Sequence, residues 1–187
     1  MRGGTSVASL STMASIKTHC RIQPELENKL NHLLANEVTL YFKTKKAHWL
    51  ASGPWFREIH EMLDDHAQFL VKSIDSVAER ITLLSGTPLA SLAEFKAESF
   101  SRDFQPEPQP LIHLLEALFE DQERAAVIIR EIAALSDEQG DLGTTDLLGK
   151  LVRNHEMAAW FLRQTLRKEE FFEEAVRPEK KLRTKAA

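Results

Sequence analysis

An all-α fold is predicted by three observations. Apolar residues recur at intervals of three and four along almost the whole 187-residue chain, and the period of two that marks a half-buried strand is hard to find. Four long stretches carry this pattern, and Gly53-Pro54, Gly86 and the pair Gly140 and Gly143 fall between them. A composition of 43% hydrophobic and 28% charged residues then supplies enough apolar material for one bundle core.

The first helix opens at Pro24, a favoured first-turn residue, turns Leu26, Leu30, Leu33 and Leu34 inward, and stops by Gly53-Pro54, with His48 and Trp49 near its end. The second runs from about Trp55 to Leu84. Ile59, Leu63, Leu70, Ile74, Val77, Ile81 and Leu84 make one stripe, and Gly86 follows as the expected terminator. From Gly86 to Pro110 the connection is too long for a simple turn, and Leu89 to Glu98 fits a short helix within it. Crossovers of this kind occur in ferritin-like four-helix bundles. The third long helix carries Leu111, Leu114, Leu115, Leu118, Ile128, Ile129, Ile132 and Leu135; the fourth carries Leu147, Leu148, Leu151, Val152, Ala159 and Leu162. Residues 1–22 are expected to be a flexible tail, 23–170 one domain, and 171–187 a flexible basic tail. The acid-free, Ser- and Thr-rich first segment also suits a transit peptide, and Met13-Ala14-Ser15 could be the true start.

The lone Cys20 excludes an intramolecular disulfide and any zinc site built from several thiolates, which fits a reducing, cytoplasmic setting. No apolar run reaches the roughly 20 residues of a membrane helix, so no membrane partner is expected. Net charge is −4, unevenly spread: five basic residues against Glu179 give residues 177–187 a charge of +4 and leave −8 on the rest. An acidic body with a basic end can attract cations at one place and polyanions at another.

The second helix carries the chemistry. With His60 at zero, Asp64 falls near ~40°, Asp75 near ~60° and Glu79 near ~100° on the helical wheel, one polar strip beside the apolar stripe. Imidazole and carboxylates without sulfur suit iron, zinc or manganese, and ligand type alone does not choose among them. Asp64 and Asp75 are separated by roughly 16 Å of helix rise, so the two halves of the strip cannot share one metal within a chain. They meet if two copies of the helix pack antiparallel about a two-fold axis near Phe69 and Leu70, with His48 available as a fifth ligand. Taken on spacing alone, a solvated face beside a core stripe is the more ordinary meaning of such a strip. The intrasubunit di-iron alternative is disfavoured, because none of the seven histidines has a Glu three residues before it.

His48-Trp49, Gly53, Phe56, His60-Glu61-Met62-Leu63-Asp64, Asp75 and Ala78-Glu79-Arg80 resemble the Dps family, the DNA-binding proteins from starved cells. The family's two-histidine, three-carboxylate pattern maps onto His48, His60, Asp64, Asp75 and Glu79 without a change of spacing, and looser similarity covers residues 25–165. The resemblance implies a ferritin-like bundle assembled into a hollow shell of twelve subunits. It also implies oxidation of iron(II), preferably by hydrogen peroxide, at sites across two-fold interfaces, and storage of ferric mineral inside. His48, His60 and Asp64 would come from one subunit, and Asp75 and Glu79 from its mate. Zinc and manganese could compete with iron. Lys45 and Trp49 match positions beside the site, the lysine to bond a carboxylate and the indole to lie near the metals; an exposed cation and a core aromatic are the plainer readings.

DNA is a further expected partner, through Lys180, Lys181, Arg183 and Lys185, with the protein then associated with the nucleoid. Against this stand the acidic body and Glu169, Glu170, Glu173 and Glu174 just before the tail. A mainly DNA-compacting protein with a secondary metal site is therefore the alternative function. His66 falls at the edge of the core stripe and is expected to be a satisfied structural histidine, while His155 and Trp160 are expected to pack. Glu131, Asp137, Asp141 and Asp146 could line a pore, solvated acids being the default.

Overall fold

A computed structural model describes residues 21–53, 55–101 and 109–167. Five helices follow in order: α1 Pro24–Leu50, α2 Phe56–Leu83, α3 Leu92–Glu98, α4 Leu111–Glu138 and α5 Leu142–Leu166. No strand occurs among the described residues. The basic residues Lys180, Lys181, Arg183 and Lys185, and Cys20, lie outside them.

Two antiparallel hairpins make the bundle, α1 against α2 and α4 against α5, joined mainly through α1 and α4. Pro24 sits in the first turn of α1, where its missing N–H costs nothing. Ile22, expected to end the tail, is instead buried, and its N–H donates to Leu84 O at 2.9 Å, tying the start of α1 to the end of α2. At the other end of this hairpin the chain reverses at Gly53, whose φ of +95° strains any other residue. Gly53 O then accepts from Phe56 N at 3.1 Å as α2 begins.

The apolar stripes meet in two clusters. One, around Leu26, Leu30, Val77, Ile81, Ile129 and Leu148, fills the end where α1 starts and α2 stops. The other, around Leu40, Ile59, Leu63, Leu115, Leu118 and Leu162, fills the opposite end. Complete burial of a leucine contributes about 1.5–3 kcal/mol, so these stripes hold the four helices in register. Both α2 and α4 run from the second cluster towards the first, so the connection between them must travel back along the whole bundle. It does so against α1, which holds it with polar side chains. Asn31 Oδ1 accepts from Leu89 N at 2.9 Å, and Asn36 Oδ1 accepts from Phe100 N at 2.7 Å. Buried Lys43 bonds Ser101 Oγ at 3.1 Å and pairs with Asp121. Within this crossover Ser91 and Glu94 form a reciprocal capping box that starts α3.

Two glycines differ from expectation. Gly86 does not supply the left-handed residue after α2; Ser85 does, with φ 62°. Gly143 lies inside the first turn of α5 rather than in a separating loop, because Asp141 caps that helix, accepting from Thr144 N at 3.0 Å. A Cβ at Gly143 would stand 2.8 Å from Arg80 Nη2, and Arg80 pairs with Asp141 and donates to Thr144 Oγ1 at 2.9 Å. Asp141 is thus a cap and ion-pair partner, not a free pore acid. Burial pushes its carboxyl pKa up, but the Thr144 and Arg80 bonds outweigh this and leave it below the usual value. Glu131, Asp137 and Asp146 are exposed.

Midway along the bundle, between the clusters, His155 is completely buried. Its ring is 2.6 Å from Gln122 Oε1 through Nδ1 and 2.9 Å from Glu37 Oε1 through Nε2, the packing role expected of it. His66 is also buried, yet among the described residues neither of its nitrogens has a hydrogen-bond partner, contrary to the satisfied histidine expected. Trp160 is half exposed rather than packed inside.

Candidate metal centre

His48 lies in the last turn of α1 and His60 in the second turn of α2, on either side of the Gly53 reversal. The tight turn brings them face to face. Their rings stack with centroids 3.6 Å apart. Nδ1 of His48 donates to the carbonyl O of His60 at 3.0 Å, and Nδ1 of His60 donates to the carbonyl O of His48 at 3.1 Å. A carbonyl can only accept, so each Nδ1 carries a proton and Nε2 is the nitrogen left for a metal. Metal-binding histidines are ordinarily fixed in this manner, by a backbone acceptor on the nitrogen that does not bind.

Asp64 follows one turn after His60 and is held at both oxygens. Lys45 Nζ, from α1, donates to Oδ1 at 3.0 Å, and Gln68 Nε2 donates to Oδ2 at 3.0 Å. The Lys45 bond, followed by that of Gln68, holds the carboxyl pKa below its ordinary value, so Asp64 is an anion at neutral pH. Lys45 therefore stands where an aid to a carboxylate is expected. Trp49 is no core aromatic; it is 67% exposed beside the histidines, with Trp55 and Phe56 also open to solvent. Gln68 escaped the sequence reading, although its i, i+4 spacing from Asp64 was a usable signal.

Asp75 and Glu79 stand exposed farther along α2 and do not reach the histidines of their own chain. Among the described residues, no single protomer gathers three or more His, Cys, Asp or Glu side chains placed to hold a metal ion. One chain therefore presents two imidazole lone pairs with an oriented carboxylate at one end of α2, and two further carboxylates towards the other. Nitrogen and oxygen donors without sulfur fit iron(II), and equally zinc or manganese. No described helix is long and apolar enough to cross a membrane.

The family model of the ferritin-like domain matches residues 27–172. A low temperature-induced protein of Nostoc sp., itself uncharacterized, is 34% identical over 137 residues, 73% of this chain and 76% of that protein. A DNA protection during starvation protein of Agrobacterium fabrum is 35% identical over 133 residues, covering 71% of this chain and 82% of its own. Among solved structures, Dps from Thermosynechococcus elongatus aligns with a TM-score of 0.75 at 29% identity, over 79% of this chain and 93% of that one. DpsC from Streptomyces coelicolor aligns at 0.73 with 32% identity, over 75% and 83%. With the crossover bundle and these matches together, the chain belongs to the ferritin-like domain family and, within it, to the Dps proteins.

Proposed function

We propose that this protein oxidises iron(II) at sites shared between two subunits and stores the ferric product inside a hollow shell of twelve. Iron is the substrate. The observation that supports this most is the division of donors along α2. His60 with Glu79, and Asp64 with Asp75, share one midpoint between Phe69 and Leu70. A two-fold axis there sets each residue of one chain at the level of its counterpart on the other. His48, His60 and Asp64 then face Asp75 and Glu79 of the partner subunit, and two equivalent sites arise.

The protein's part is positioning. Both imidazoles offer Nε2 because their Nδ1 protons are already engaged, and Asp64 is ionised before metal arrives. Hydrogen peroxide is the proposed oxidant. Two iron(II) ions each give one electron, the O–O bond breaks, and two protons carry the oxygens away as water. Two electrons delivered together leave no hydroxyl radical, so the reaction protects DNA as well as storing iron. Zinc and manganese, suited by the same donors, compete.

The test is anaerobic iron(II) loading followed by hydrogen peroxide, with ferric absorbance read in the wild type and in an Asp75→Ala, Glu79→Ala variant whose assembly is checked by sizing. Two irons oxidised per peroxide in the wild type, and a fall to the protein-free rate in the assembled variant, is the expected result. Equal rates would leave the strip a solvated face and end the proposal.

DNA binding by the tail is the second activity, favoured by the +4 charge on residues 177–187. Multiple copies on one shell would make weak phosphate contacts act together. Removing residues 177–187 should abolish DNA retention in a low-salt gel and leave iron oxidation intact; retention that survives the deletion would rule out the tail. Such a protein would work in the cytoplasm, at the nucleoid when DNA is bound.

A further inference from the structure

The Asp64 carboxylate is gripped by two donors of different kinds. Lys45 reaches it from α1 as a cation, and Gln68 reaches it from the next turn of α2 as a neutral amide, each at 3.0 Å and each on its own oxygen. A lysine bond alone fixes one oxygen and leaves the carboxyl plane free to turn; the second donor removes that freedom. A carboxylate oxygen has two lone pairs, so one on each oxygen remains for a metal. Lys45 also repels an incoming divalent cation, whereas Gln68 orients the ligand without adding charge. Gln68 is exposed and lies next to the Phe69–Leu70 midpoint, on the stretch where two copies would cross.

We propose that Gln68 is a positioning residue for iron(II), setting the direction of Asp64 through its Nε2–H···Oδ2 bond. This rests on the shared-site reading. The competing role is an i, i+4 pair that merely supports helix α2, and the two roles separate experimentally. Cobalt(II) serves as the probe, titrated anaerobically into the assembled full-length protein, with affinity and the visible ligand-field bands as readouts. Gln68→Met keeps length and helix propensity but donates nothing; Gln68→Lys restores a donor; Gln68→Ala replaces the methionine variant in the same assay should that one disturb assembly.

The donor-free variant should bind cobalt about tenfold more weakly, at the low end for loss of a group that orients a metal ligand, with shifted bands and an unchanged melting temperature without metal. Gln68→Lys restores the bond to Oδ2 but adds a positive charge, so it should return the bands to their wild-type positions while affinity stays below wild type. Wild-type affinity and bands in the donor-free variant would overturn the proposal, and so would a band shift that lysine does not repair. The Asp75→Ala, Glu79→Ala variant runs beside them: if it binds cobalt like the wild type, the shared site itself is wrong and the role of Gln68 falls with it. If it loses binding while the Gln68 variants do not, only the role of Gln68 falls.

Discussion

His48 and His60 exchange the same bond, each Nδ1–H donating to the other's backbone carbonyl across the Gly53 turn. The pair therefore joins α1 to α2 as well as presenting Nε2 lone pairs. His48→Phe keeps a ring in the stack but removes one clasp bond and one ligand. Loss of a hydrogen bond costs about 1 kcal/mol, which should lower the melting temperature of the metal-free protein by about 2–4 °C. Iron oxidation should fall much further. Thermal melts and peroxide-driven oxidation on the same sample check both, and an unchanged melt would show that the clasp contributes nothing.

Shared sites predict complementation between two inactive proteins. In a pair formed by a His60→Ala, Asp64→Ala chain and an Asp75→Ala, Glu79→Ala chain, one site loses every altered ligand while the other keeps all of them. Random reassembly makes half the pairs mixed, so about a quarter of wild-type sites should return. Co-refolding the two variants and titrating active sites measures this. Sites contained in one chain would give no recovery.

Much of the fold was legible because bundle helices announce themselves by period. Leu26, Leu30, Leu63, Leu70, Ile81, Leu115, Ile129, Leu148 and Leu162, all assigned inward from spacing, are buried. The strip from His60 to Glu79 was equally visible, since a helix converts spacing into direction. Contacts between helices were not. Nothing in the order of residues says that Arg80 comes to rest against Gly143, 63 positions away, or that Gln122 and Glu37 converge on His155. Wheel angles placed His66 near the core but could not reveal that, among the described residues, no partner meets its nitrogens. Trp49 failed as a core aromatic because the α1–α2 turn leaves its side chain outside the hairpin.

Arg80 and Gly143 should be energetically coupled. With Arg80 held by Asp141 and Thr144, Gly143→Ala forces the guanidinium to move and should cost about 1–2 kcal/mol despite alanine's better helix propensity. Once Arg80 is changed to Ala, the three nearest contacts of the new Cβ are gone and the same substitution should become stabilising by up to about 1 kcal/mol. A double-mutant cycle by denaturant melts gives the coupling directly. Additive effects would mean that the close approach is relieved by a small backbone shift.

His66 makes the fold sensitive to acid. Burial, with His155 adding to it, pushes its pKa down to about 4. The unfolded chain takes up a proton near the ordinary value of 6.5 and the folded one does not until about 4, so between those values the unfolded state holds more protons. The stabilising contribution is therefore complete above pH 6.5 and is lost as pH falls towards 4, by about 3 kcal/mol per chain in all. Replacing His66 with Met keeps an apolar group of similar length and removes the titration. Melting temperatures of the metal-free proteins between pH 7.5 and 4 should fall more steeply for the wild type than for His66→Met, the gap opening below about pH 6.5. Parallel curves would mean that a hydrogen-bond acceptor reaches the ring in the assembled protein and restores its ordinary basicity.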